Sequence, residues 1–204
     1  SGGSAGGPLT PGRLFWFANY ERNEQDAVFA VTNNHPIFSK FDGIYSNPLE
    51  SHLANVRLDA RVHDGHQAFL RAGMDRNDTT APAVAVGMPS NWQSVRNRAF
   101  QVQGGLVSVL TLNAVNDVRL SFSSLDGALN PVSPGDCGDP VACVGAGGPN
   151  ILIFDAPQFR TGNQFNSPFA RWQRTFQITD TLTWQRGKHR LRLGTEWEHA
   201  SVRA

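Results

Sequence analysis

The residues with the most chemical potential are charged, and they alternate with apolar neighbours. Arg57, Asp59 and Arg61 stand two apart on one segment, and Arg71 and Asp75 follow on the next. On extended chain a spacing of two puts all of a segment's charges on one face. Such a face forms either a solvated, mutually neutralising lattice or a surface that guides a charged ligand. Cys137 and Cys143 are the two cysteines of the chain. Their spacing does not fit a Cys-x-x-Cys redox or metal site, and no second ligand pair lies nearby. A disulfide stapling a loop tip in an oxidising compartment is the expected role. His63 and His66 bracket a turn. Two histidines without a further ligand make a poor metal site, so both are expected to be solvated turn residues.

Other chemistry is excluded by what is missing around the candidates. Gly145-Ala-Gly-Gly-Pro-Asn150 lacks the Lys-Ser/Thr of a phosphate loop and reads as loop. No Ser/His/Asp arrangement is legible, so no catalytic residue is assigned and the chain is not expected to be an enzyme. Nothing implies a cofactor or a bound metal. The 204 residues carry a formal charge of +1 without a Lys/Arg block, and nucleic acid is not an expected partner. Hydrophobic residues make up 40% and the mean hydropathy is −0.33. No run approaches the roughly 20 apolar residues of a membrane helix. A membrane strand escapes that test, because only every second residue must be apolar.

The elements that hold these residues are strands. Ala54, Val56, Leu58, Ala60 and Val62 alternate strictly with Asn55, Arg57, Asp59 and Arg61. Asp64-Gly65 supplies the positive φ of a tight hairpin. The return strand places Ala68, Leu70, Ala72 and Met74 opposite Gln67, Phe69, Arg71, Gly73 and Asp75. Two further hairpins turn at 113–117 and 186–189. Between the hairpins lie long Gly/Pro/Asn-rich connections at 23–50, 78–96 and 125–170. Short turns at one end and long loops at the other are the layout of an outer-membrane barrel, with turns on the periplasmic side. A bulge is expected at Gly104-Gly105.

Length separates this pattern from a soluble sandwich, whose strands usually run about 5–6 residues. From Trp172 to Trp184 one face holds Gln173, Thr175, Gln177, Thr179, Thr181 and Thr183. The other holds Phe176, Ile178 and Leu182 between the two tryptophans. Twelve residues tilted by about 40° span about 30 Å, which sets Trp172 and Trp184 at the two aromatic girdles. Arg174 and Asp180 fall on the apolar face. Arg174 is expected to snorkel at the outer end, and Asp180 to mark a bulge. The fold class is therefore all-β, an antiparallel up-and-down transmembrane barrel segment. Seven strands are expected, whereas single-chain bacterial barrels close with an even number. The chain starts at Ser1 without a signal peptide, and it is expected to be a piece of a larger barrel, truncated at both ends.

Three passages resemble one family. Gly6-Gly-Pro-Leu-Thr-Pro-Gly-Arg-Leu-Phe-Trp-Phe-Ala-Asn-Tyr-Glu21 resembles the plug-to-barrel handover of Oar-like TonB-dependent receptors. Asn113-Ala-Val-Asn-Asp-Val-Arg-Leu-Ser-Phe122 and Trp184-Gln-Arg-Gly-Lys-His-Arg-Leu-Arg-Leu-Gly194 resemble two of its hairpins. The resemblance implies an early portion of a barrel of ~22 strands, a size that encloses a plug. Residues 1–12 would then be a linker from that plug, and 13–204 the partial barrel. It implies the outer membrane of a Gram-negative (diderm) bacterium. It also implies energy-coupled uptake of a bulky ligand, with outer-membrane lipid, the plug, the TonB complex and that ligand as partners. The chain departs from the family in showing no plug, no TonB-contacting box, no carboxypeptidase-like N-terminal domain and no closing strand. Arg57, Asp59, Arg61, Arg71 and Asp75 would face the lumen. A soluble β-sandwich of adhesin-like or carbohydrate- or protein-binding type is the rival reading.

Overall fold

A computed structural model describes residues 1–33, 36–81, 87–135, 141–154 and 158–204, with the side chain of residue 81 excepted. Eight strands form one antiparallel sheet: β1 (Gly2–Thr10), β2 (Leu14–Gln25), β5 (Leu49–His63), β6 (His66–Ala81), β7 (Gln93–Thr111), β8 (Ala114–Pro131), β11 (Phe169–Arg186) and β12 (His189–Arg203). Each pairs with the next in this order, and β1 and β12 are the sheet edges. Four short strands, β3 (Val28–Val31), β4 (Gly43–Ser46), β9 (Ile151–Ile153) and β10 (Phe159–Thr161), form two ribbons in the long connections.

The sheet adds a strand to the seven expected. Residues 2–10 pair with β2 instead of forming a linker. A ladder needs only backbone N–H and C=O groups, so a Gly-rich segment can join it. Close approach even favours glycine there, since a Cβ on Gly6 would stand 2.8 Å from the Trp16 carbonyl oxygen. Gly12, at φ 70°, closes the resulting turn, as Gly65 at 79° and Gly187 at 60° close two others.

The ladder also runs straight through two expected bulges. Gly104 and Gly105 pair in register with β6 and β8, and the β7 irregularity falls at Val109/Thr111 instead. The reason is Phe69, whose ring lies across Gly105 and fills the space of the missing side chain. A Cβ on Gly105 would meet Phe69 Cε1 at 2.3 Å. Asp180 likewise sits in unbroken register between β8 and β12. Its carboxylate accepts a hydrogen bond from Asn116 Nδ2 at 2.6 Å, so a partner on the neighbouring strand replaces the backbone irregularity.

Register places whole rows of side chains on one face. Trp16, Leu58, Leu70, Gly104, Leu120, Ile178 and Trp197 form one continuous row. Two rows further, Ala18, Val56, Ala72, Val102, Phe122 and Phe176 form another. Large apolar side chains here stay open, with Leu70 at 50%, Phe100 at 44% and Trp197 at 55% exposure. On β11 the alternate polar set from Gln173 to Thr183 is half-buried, while Trp172, Phe176 and Trp184 are exposed. The polar face is thus the occluded, concave one, and the apolar face is convex.

The apolar band slides as it crosses the sheet. It occupies 14–20 on β2, whose ladder partners on β12 are 195–201, yet on β12 it occupies 191–197. Four residues across six strand spacings is a drop of roughly 13 Å over roughly 29 Å. Strands tilted against a level slab produce this offset. Substituting Gly105→Ala should therefore force the Phe69 ring aside and cost about 1–3 kcal/mol. Gly104→Ala, whose nearest contact would be 3.7 Å, should leave stability nearly unchanged. Urea unfolding of the two variants in detergent checks the contrast.

Candidate functional site

The concave wall carries the charged residues singled out from the sequence. All five share that face, but only one ion pair forms among them. Arg57 donates to Asp59 through Nε at 2.8 Å and Nη2 at 2.7 Å. Arg61, Arg71 and Asp75 have no ion pair with a described residue. Arg71 stands directly across from Arg57, where like charges repel. The expected neutralising lattice of five is therefore a single bidentate pair. Its second support is aromatic. The Arg57 guanidinium lies 4.8 Å from the Phe69 ring centroid, and Arg119 reaches the same ring at 5.9 Å. Arg119 is itself held by Asp117 at 3.0 and 2.8 Å. Phe69 thus gathers two arginines on one wall, each oriented by its own carboxylate.

Toward the outer end the same wall is hollowed. A depression of about 360 Å³ is lined in part by Asn55, Gly73, Asp75, Gln101, Ser123 and Gln173. It forms because Gly73 and Ala99 are small where their neighbours are long. A Cβ on Gly73 would come 2.6 Å from the Asn55 side-chain oxygen. Asp75 gives the hollow an open carboxylate, flanked by amide and hydroxyl side chains.

The rim above the wall is built from the three long connections, and it is more ordered than their composition indicates. Val31, Met88, Trp92, Val132 and Phe159 make a buried cluster, with Phe29, Phe38, Phe41, Tyr45 and Ile153 against it. Phe38 stacks on Phe159 at 4.2 Å, and Phe29 meets Trp92 edge-on at 5.7 Å. Polar contacts stitch one connection to another. Asn91 Nδ2 donates to the Gly162 carbonyl at 2.9 Å, and Gln93 Nε2 donates to Ser167 Oγ at 2.6 Å. Trp92 Nε1 donates to the Gly87 carbonyl at 3.0 Å. The apolar residues of this cluster are scattered over more than a hundred positions, and no periodicity announces them.

The remaining candidates fall into place more simply. His63 and His66 have ring centroids 6.3 Å apart, and His66 Nδ1 lies 3.0 Å from Ser108 Oγ. Among the described residues no group of three His, Cys, Asp or Glu is arranged to hold a metal. Cys143 has no disulfide with a described residue, and its Sγ lies 3.5 Å from the Pro134 carbonyl. Cys137, its expected disulfide partner, lies outside the described residues. Trp172 and Trp184 both point from the convex face. Arg174 forms a cross-strand ion pair with Asp126 on β8. Outside the apolar band, Arg22 donates to Glu50 at 2.9 Å and holds that carboxyl below its usual range, with His52 contributing.

A tilted antiparallel sheet with a convex apolar band, a concave polar wall and a loop rim is the wall of a barrel in a membrane. Residues 30–204 match the outer membrane beta barrel domain. The chain belongs to that family. No curated protein matches it. A solved structure, the outer membrane transporter YddB from Escherichia coli, is similar with a TM-score of 0.68 at 10% identity. The likeness covers 98% of this chain and 25% of that one, so the chain spans a quarter of that transporter's length. At this identity the likeness is one of fold. It fits a barrel segment in the bacterial outer membrane, and family membership turns aside the soluble-sandwich reading.

Trp92→Ala should remove about 3–5 kcal/mol from the loop cluster and leave the sheet intact. Limited proteolysis should then cut within 26–48 and 132–168. The heat-modifiable mobility of the folded barrel should be unchanged.

Proposed function

We propose that this outer-membrane barrel segment is wall and rim of an Oar-like TonB-dependent receptor that takes up a bulky ligand. The observation that carries the reading is the pairing of an ordered loop rim with a polar concave wall. A rim with its own core offers a defined outer surface for first contact, and loops on a rigid scaffold commonly carry binding. Beneath it, the hollow at Asp75 and the arginines around Phe69 give the lumen wall fixed polar groups. They suit contact with a plug or with a ligand passing it. The passages at Gly6–Glu21, Asn113–Phe122 and Trp184–Gly194 support the finer family assignment.

The protein acts in this reading by binding and transport, not by catalysis. Its partners are outer-membrane lipid, a plug domain, the TonB complex and an external ligand, with no nucleic acid among them. The fold alone also suits a channel without energy coupling. The coding frame separates the two. A plug upstream and further alternating strands downstream, to a total near ~22, are expected. In-frame start and stop codons close to these 204 residues would sink the receptor reading.

The wall makes a second prediction. In the full receptor, replacing Arg57 and Arg71 with Gln should lower ligand uptake by about tenfold or loosen the plug, the scale of one lost charged contact. Transport assays and protease sensitivity of the plug read the two effects. Unchanged values in both would remove Arg57 and Arg71 from the function.

A further inference from the structure

Just beyond the apolar band, the convex face changes character. Phe100 and Met74 end the band on β7 and β6. The next outward residues are Arg98 and Arg76, which stand directly opposite each other. One step further, Arg96 opposes Asp78. All three arginines are exposed and Asp78 is half-buried. Two guanidinium groups share that carboxylate, Arg76 Nε at 2.7 Å and Arg96 Nε at 2.9 Å. Both bind through Nε alone, so their terminal amino groups make no hydrogen bond to a described residue. Arg98 has no ion pair with a described residue. Its neighbour across the other ladder, Asp126, is taken by Arg174.

This arrangement is incomplete as an internal network. Two arginines directly across a ladder repel, and Asp78 pairs with only two of the three guanidinium groups. The next carboxylate, Glu50 across the β5–β6 ladder from Asp78, is held by Arg22 and His52. The missing charge is negative. It must approach from outside the barrel, because these side chains leave the convex face. Its height is set by the strand rise. Arg76 and Arg98 lie two residues beyond the last apolar row, about 7 Å along a strand and about 5 Å along the membrane normal at the usual tilt. That is the headgroup layer of the outer leaflet. A guanidinium fork with free terminal amino groups matches phosphate oxygens in pairs.

We propose that Arg76, Arg96 and Arg98, held around Asp78, bind the phosphate of a lipid headgroup in the outer leaflet. Asp78 is a positioning residue, since it holds two of the forks by their inner nitrogens and leaves the outer ones for the ligand. The lipid would then be a fixed part of the barrel surface, seated across β6 and β7.

The test uses the full-length protein containing this segment, purified in detergent. Bis-phosphorylated lipid A, its dephosphorylated form with the same acyl chains, or inorganic phosphate is added, and native mass spectrometry counts retained lipid. The wild type should retain the phosphorylated lipid about tenfold over the dephosphorylated one. Arg98→Gln should lose most of that preference, and the triple Arg76→Gln, Arg96→Gln, Arg98→Gln variant all of it. Millimolar inorganic phosphate should not displace the lipid. Equal retention of the two lipids, an unchanged preference in the triple variant, or complete displacement by inorganic phosphate would each overturn the proposal. Should the triple variant fail to fold, Arg98→Gln decides alone, because it breaks no ion pair with a described residue.

Discussion

Hydrocarbon offers no hydrogen bond to an unpaired peptide group. That constraint determines most of this molecule. Inside the apolar band, each N–H and C=O must find its partner on a neighbouring strand, so the chain runs as long, unbroken ladders. The 19 residues of β7 and the 18 of β8 and β11 follow from it. So does the straight register at Gly104–Gly105 and at Asp180, where side chains adapt and the backbone does not. Phe69 fills the gap over Gly105, and Asn116 reaches across to Asp180.

With the backbone committed, side chains are sorted by what each face meets. The convex rows remain exposed because they face outward in a membrane barrel, with no core of described residues behind them. Among the described residues the buried apolar cluster is instead in the loops, where water surrounds the protein and burial is favourable. The two halves of the molecule therefore rest on different solvents. Lipid and the ladders hold the wall, while Trp92, Met88 and Phe159 hold the rim.

Much of this was legible in the residues. Strict alternation at 54–62 and 172–184 exposes both the faces and the length, because a period of two maps directly onto a sheet. The aromatic positions Trp172 and Trp184 follow from the same count. Contacts made across strands were less accessible. Arg57, Asp59, Arg61, Arg71 and Asp75 share a face as expected, yet which of them pair depends on register and on Phe69, one strand away. Strand β1 was hidden because glycine and proline suppress the usual strand signal, although a ladder asks only for backbone. The loop cluster was hidden for another reason. Its members come from three connections, and nothing local to any one of them marks Val31, Trp92 and Phe159 as neighbours.

The stitched rim also bears on how such a surface can change over generations. Selection on an exposed surface falls on its loops, and independent loops can answer it one at a time. Here the connections share a core, so a replacement at Trp92 or Phe159 disturbs the loops packed against it. Freedom to vary is left to residues that point away from the cluster, such as Ile44, Phe154 and Phe165, each more than 70% exposed. A lineage carrying this rim would be expected to diversify in such isolated spots while the loop scaffold beneath them stays the same.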